Sequence, residues 1–181
     1  HFCYHGYVDI IRKYDKKFGT GIHPSYRSAG RIKTLRMETE RYRTITGHPP
    51  ERARQHWLLL RMPETYSDYE EAGIRNDYTM GFNDEPGFRA GISRPFPFYD
   101  LIREKITGLT VVPFQVMDGT LRQYMHLSPD AAIEVIEELI LATRRAGGLF
   151  VSIWHNTSLN EGNGWEGWRS VFRKMLEMQK V

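Results

Sequence analysis

Cysteine is almost absent. Cys3 is the only one in 181 residues. That excludes a disulfide framework and a zinc finger built on thiolates. Long apolar runs are missing too. Stretches such as Trp57-Leu58-Leu59-Leu60 last a few residues, against the ~20 that a membrane-crossing helix needs, so no transmembrane segment is expected. Charge of one sign is not in large excess: 25 Lys and Arg stand against 22 Asp and Glu, for a net +3 and a pI of about 9.0. Basic residues are interspersed with acidic ones and form no block, so no nucleic-acid partner is expected. Internal repeats and low-complexity tracts are lacking as well. No initiator Met and no secretion signal open the chain at His1, and it reads as a piece of a longer polypeptide.

What is present is globular composition, with 40% apolar, 26% charged and 13% aromatic residues. The length suits one domain over 1–181, large enough for a real core. Tyr7 to Phe18 carries Ile10, Ile11 and Tyr14 at helical spacing and stops at Gly19. A short strand at Gly21-Ile22-His23 is broken by Pro24. A second helix spans Arg31 to Ile45, with Ile32, Leu35, Met37 and Tyr42 inward. Ala53 to Leu60 reads as a strand, Thr65 to Ala72 as a short helix, and Ile74 to Phe82 as a strand. Arg94-Pro95-Phe96-Pro97-Phe98 reads as an extended loop. Val111 to Met117 is a further strand. Ser128-Pro129 starts a helix, as an N-cap followed by Pro at the first helical position, and Gly147-Gly148 ends it. Leu149 to Trp154 is a strand and Gly167 to Met178 a last helix.

Strands alternating with helices argue for parallel βαβ units, an α/β fold. Such folds carry reactive residues at the C-terminal ends of their strands. That rule selects His23, Asp77, Asp84, Asp118 and His155, with Arg54 and His56 on the strand from Ala53. His23, His56, Asp118 and His155 are expected in one pocket, with Arg89 beside them. Two imidazoles and a carboxylate suit a divalent metal with an open position, such as zinc. A further His can protonate a leaving group and an Arg can orient a carboxylate.

Plainer roles stand beside these. A His after a strand is often a hydrogen-bonded structural residue, and Asp118-Gly119 is also a normal turn pair. Asp84 and Glu85 suit a solvated turn. His1, His5, His48 and His126 read as solvent histidines, and Met37, Met62, Met80, Met117 and Met125 as core filler. Arg89 and Arg94 can grip a sugar or pair with carboxylates. Trp165 and Trp168 can stack on a sugar, although the core face of the last helix is the favoured place for Trp168.

Several stretches resemble a known family. They are Gly21-Ile22-His23-Pro24-Ser25-Tyr26, Arg54-Gln55-His56-Trp57, Asp77 through Phe82, and Gly87-Phe88-Arg89-Ala90-Gly91. Pro95 through Leu101 and Trp154-His155-Asn156 continue the pattern. Together they are similar to a bacterial branch of the polysaccharide deacetylases, carbohydrate esterase family 4. The resemblance implies a distorted, incomplete (β/α) barrel that hydrolyses acetyl groups from a sugar polymer with one divalent metal, zinc by expectation. It makes His23 a metal ligand, Arg54 the arginine that orients a carboxylate, Asp77 the aspartate of the fourth motif, and His155 the general acid. Asp118 is a further catalytic candidate, and Arg89, Trp154 and Tyr26 are the candidate substrate contacts. Where the family has its second metal histidine this chain has Arg27, and His56 is the expected substitute. The family's Asp-Asp pair does not precede His23, so the first strand is expected upstream of His1. The alternative is a catalytically silent, carbohydrate-binding relative of the same fold. Polymer deacetylases commonly work at the cell envelope, so the resemblance suggests the envelope of a bacterium, with the cytoplasm as the alternative.

Overall fold

The structure, a computed structural model, describes residues 5–179; His1 and Cys3 lie outside them. The chain gathers into two compact units. One comprises His1–Thr79 with Phe96–Val112, the other Met80–Pro95 with Pro113–Val181. Each has its own sheet.

In the first unit, α1 (His5–Phe18) is followed by α2 (Ile32–Thr46), β1 (Arg52–Ala53), α3 (Glu64–Glu71), β2 (Asn76–Asp77), β3 (Phe96–Asp100) and β4 (Lys105–Val111). The strand order is β1-β2-β4-β3. β1, β2 and β4 run parallel, β3 pairs antiparallel to β4, and Ile22 adds a single parallel bridge to Ala53. The core gathers Leu35, Tyr42, Tyr66, Tyr69, Ile74, Phe98, Leu109 and Val111, all buried. Tyr66 meets Phe98 edge to face at 4.8 Å.

The second unit has β5 (Val116–Met117), α4 (Pro129–Arg145), β6 (Ser152–Ile153) and α5 (Trp168–Met178), with β5 and β6 parallel. Ser128 caps α4 by accepting from the Ala131 N–H, as its Ser-Pro start predicts. Ile136 and Ile140 of α4 meet Trp168, Val171 and Met175 of α5 over Val116 and Leu121. Trp168, 2% exposed, is core.

The α/β class and the parallel pairing agree with the expectation. Among the described residues neither sheet closes on itself. Several boundaries differ from it. The strand expected over Ala53 to Leu60 ends at Ala53, because Trp57 and Leu58 turn the backbone left-handed at φ 58° and 52°. The proline-rich loop is strand β3. It is an edge strand with a register shift between Pro97 and Tyr99, where a missing N–H is tolerated. The strand expected over Val111 to Met117 is divided between β4 and β5, one in each sheet. Met37, Met62 and Met125, 57%, 50% and 36% exposed, are not core filler. Arg94 donates to the Gly147 and Ala146 carbonyls after α4, so part of its donor set is engaged there. Among the described residues no helix is long and apolar enough to cross a membrane.

Candidate functional site

Each unit sets polar side chains at the C-terminal ends of its parallel strands. In the first, the chain at Ile22 pairs with β1, its N–H on the Arg52 carbonyl at 2.9 Å. Gly21 is required for that approach, since a Cβ there would stand 2.5 Å from the Arg52 carbonyl oxygen. His23 therefore emerges level with Arg54, and its Nδ1–H donates to the Arg54 carbonyl at 2.6 Å. That bond leaves Nε2 of the neutral ring as the acceptor. Nδ1 of His56 lies 3.0 Å from that Nε2, with the ring centroids 4.8 Å apart. His56 comes from the short helical turn after β1, not from a strand. Its main-chain N–H donates to the Pro24 carbonyl at 3.3 Å, which ties the two histidine loops together.

Beneath them lies a buried polar network. Asp77, wholly buried at the end of β2, accepts from the Tyr66 hydroxyl at 2.8 Å and from the Thr79 hydroxyl. Thr79 Oγ1 accepts from the Gln55 N–H at 3.0 Å, and Gln55 holds Tyr69 and the Ser25 carbonyl. Burial pushes the Asp77 carboxyl up to about 6, against the opposing pull of its Thr79 and Tyr66 bonds and of Arg54. Burial also lowers the Arg54 guanidinium, which donates from Nε to the Tyr78 carbonyl at 3.1 Å. Asp77 therefore acts through its neighbours: Thr79 and Gln55 lead from it to both histidine loops.

Tyr26 and Trp57, 62% and 77% exposed, stand edge to face at 6.5 Å beside the histidines. The sequence points to Tyr26 as a substrate contact but not to Trp57. Its signal was its place directly after His56, hidden by the apolar run it opens.

In the second unit Asp118 follows β5 and Trp154-His155 follows β6. The register Met117↔Ile153 brings these ends level. His155 Nδ1 lies 2.7 Å from Asp118 Oδ1, and the His155 main-chain N–H donates to Oδ2 at 2.6 Å. The Gly119 N–H adds a third bond at 2.7 Å. Asp118 is sealed while the His155 side chain is 56% exposed. Burial raises the Asp118 carboxyl, but the ring and main-chain bonds of His155 and the Ser158 hydroxyl outweigh it, so the net shift is downward. A sealed carboxylate that orients a half-exposed imidazole is an arrangement that acid–base histidines use. Arg89 is exposed and donates to the Gly81 carbonyl at 3.0 Å. The Trp154 ring packs edge to face on Phe172 at 5.1 Å, so much of it serves the core.

Of the residues expected at one rim, the structure joins His23 with His56, and Asp118 with His155. The first pair fits two ligands of a divalent metal. Two nitrogens bound to tetrahedral zinc lie about 3.3 Å apart, close to the separation found here. The His23 bond to the Arg54 carbonyl is the outer contact that metal-binding histidines use. Among the described residues no group of three His, Cys, Asp or Glu side chains is placed to hold a metal.

No protein-family model and no curated protein matches the chain. Among solved structures, a Mycobacterium smegmatis protein described as a polysaccharide deacetylase aligns with TM-score 0.64 at 18% identity, over 96% of this chain and 60% of its own. A Bordetella bronchiseptica protein described as a polysaccharide deacetylase involved in O-antigen biosynthesis aligns with TM-score 0.50 at 14% identity, over 89% and 69%. The chain thus spans about 60% of the length of the first relative. At such identities the likeness lies in the architecture: the chain has the α/β fold of these polysaccharide deacetylases, in a divergent form.

Proposed function

We propose that the chain is a hydrolase that removes acetyl groups from a sugar polymer. The observation that carries this reading is the Asp118–His155 pair, an exposed imidazole held by a sealed carboxylate at the ends of adjacent parallel strands. His155 would protonate the departing amine or alcohol as the tetrahedral intermediate collapses, with Asp118 holding the ring and balancing its charge. His23 and His56 would hold a divalent metal, zinc by the nature of the donors. Bound there, such a metal polarises an acetyl carbonyl and acidifies water. Arg54 and the Asp77 network would keep the histidine loops in place. Trp57 and Tyr26 offer exposed ring faces of the kind on which sugars stack. Arg89 would add hydrogen bonds from its remaining donors. The architecture on this reading is the distorted, incomplete (β/α) barrel of the family.

A second reading, a silent carbohydrate-binding relative, is favoured by Arg27 at the position of the family's second metal histidine. One experiment separates the two: acetate release from acetylated chitooligosaccharides by the zinc-loaded chain and by its His155→Ala variant. The hydrolase reading expects release that falls by roughly 10²-fold or more in the variant. Oligosaccharide binding without release, or release indifferent to His155, overturns it.

A further inference from the structure

Helix α1 is half-buried along Val8, Ile11 and Asp15 and exposes an apolar stripe beside them. Its inner side is fixed to its own unit. Asp15 accepts from the Thr20 N–H and hydroxyl, the Tyr42 hydroxyl and His48, while Arg12 Nε donates to the Ile45 carbonyl beyond α2. With that face docked, Ile10, Tyr14 and Phe18 turn outward, 52%, 48% and 63% exposed. Steps of four residues stack them on one face. Tyr14 and Phe18 lie nearly parallel, at 6.0 Å and 16°. Exposed lysines accompany the stripe: Lys13 and Lys17 along one flank, with Lys16 a further turn round. The Lys17 ammonium sits 4.9 Å from the Phe18 ring centroid.

We propose that this stripe lays α1 on an anionic lipid surface. Aromatic and aliphatic side chains facing outward beside lysines are the pattern of a helix lying in a membrane interface, rings among the acyl chains and ammonium groups among anionic headgroups. Charge complementarity selects this partner. A second copy laid antiparallel on the stripe would set Lys13 and Lys17 against their own counterparts, which is repulsive. A nucleic acid would satisfy the lysines and leave Ile10 and Phe18 in water. The proposed contact is interfacial; among the described residues no helix is long and apolar enough to cross a bilayer. It is independent of the hydrolase reading.

The test is sedimentation of the full chain with phosphatidylglycerol-rich vesicles and with pure phosphatidylcholine vesicles. Binding is expected only to the anionic vesicles and is expected to weaken in high salt. Ile10→Ser with Phe18→Ser should reduce partitioning by roughly tenfold or more, and Lys13→Glu with Lys17→Glu by roughly tenfold. Leu101→Ser, at the exposed tip of the β3–β4 hairpin, should change nothing. All these positions are exposed, so thermal melts report whether each variant is folded. If the serine pair nevertheless unfolds the protein, the glutamate pair decides. The proposal is overturned by no binding to anionic vesicles, by equal binding to both kinds, by an equal loss in Leu101→Ser, or by a concentration-dependent dimer that the α1 variants dissolve.

Discussion

Two buried aspartates respond to pH in opposite ways because hydrogen bonds outweigh burial at one and burial outweighs them at the other. Asp118 accepts main-chain and imidazole donors that favour its charged form, which holds it below the usual carboxylate range. Its stabilising contribution is present above the unfolded value near 3.9 and lost as pH falls through the lower folded value. Asp118→Asn should lower stability at neutral pH by about 2 kcal/mol, with the gap from wild type closing in acid. Chemical denaturation at several pH values measures both. Asp77 is the reverse case. It is pushed up to about 6 by burial, which outweighs the Thr79 and Tyr66 hydroxyls, the Thr79 main-chain N–H and Arg54. Its contribution is present below the unfolded value and lost as pH rises through about 6. Wild type should lose up to about 3 kcal/mol between roughly pH 4 and pH 7 from this group, and Asp77→Asn should flatten that slope. A slope unchanged in the variant would show that Asp77 titrates normally.

Whole elements depend on single close approaches. Ile22 reaches β1 only because Gly21 has no side chain, so Gly21→Ala should separate the Ile22–Ala53 bridge and displace His23 from Arg54. The expected cost is about 1–3 kcal/mol, with the His23 ring resonances shifting in an NMR spectrum. Helix α1 is held by Asp15 and by His48, whose pKa is raised first by its bond to Asp15 and then by the Pro49 carbonyl. That hold is full below about pH 6.5 and relaxes as pH rises through the raised value. His48→Ala should speed hydrogen exchange of α1 amides near pH 6, and the difference from wild type should narrow at higher pH. His48 is exposed, as expected of a solvent histidine, and its bond to Asp15, 33 residues earlier, is not legible in the local sequence.

The same distinction explains what could be read in advance. Ser128-Pro129 and Gly147 mark α4 correctly, because capping is decided within a turn. Strands of two residues carry no alternation to detect, and Gly108 interrupts the pattern of β4, so β4 is not legible in the sequence. Asp118 and His155 were each chosen for standing after a strand. Their bond, across 37 residues, depends on the β5–β6 register, which no local pattern encodes.

At the scale of the whole molecule, a ligand that binds only the folded chain raises its melting temperature, because unfolding must release it. The His23–His56 pair exists only when Ile22 is bridged to β1 and the turn after β1 is formed, so zinc held there is linked to global stability. At about a hundred times its dissociation constant the metal should add roughly 2.7 kcal/mol, or about 5–10 °C for a chain of this length. His23→Ala and His56→Ala should each remove most of the shift. His155→Ala should keep it, since His155 is occupied with Asp118 and is assigned the acid role instead. Chelator should reverse the shift. A shift kept in both His23→Ala and His56→Ala, or lost in His155→Ala, would move the metal away from the imidazole pair and leave the hydrolase scheme without its proposed ligands.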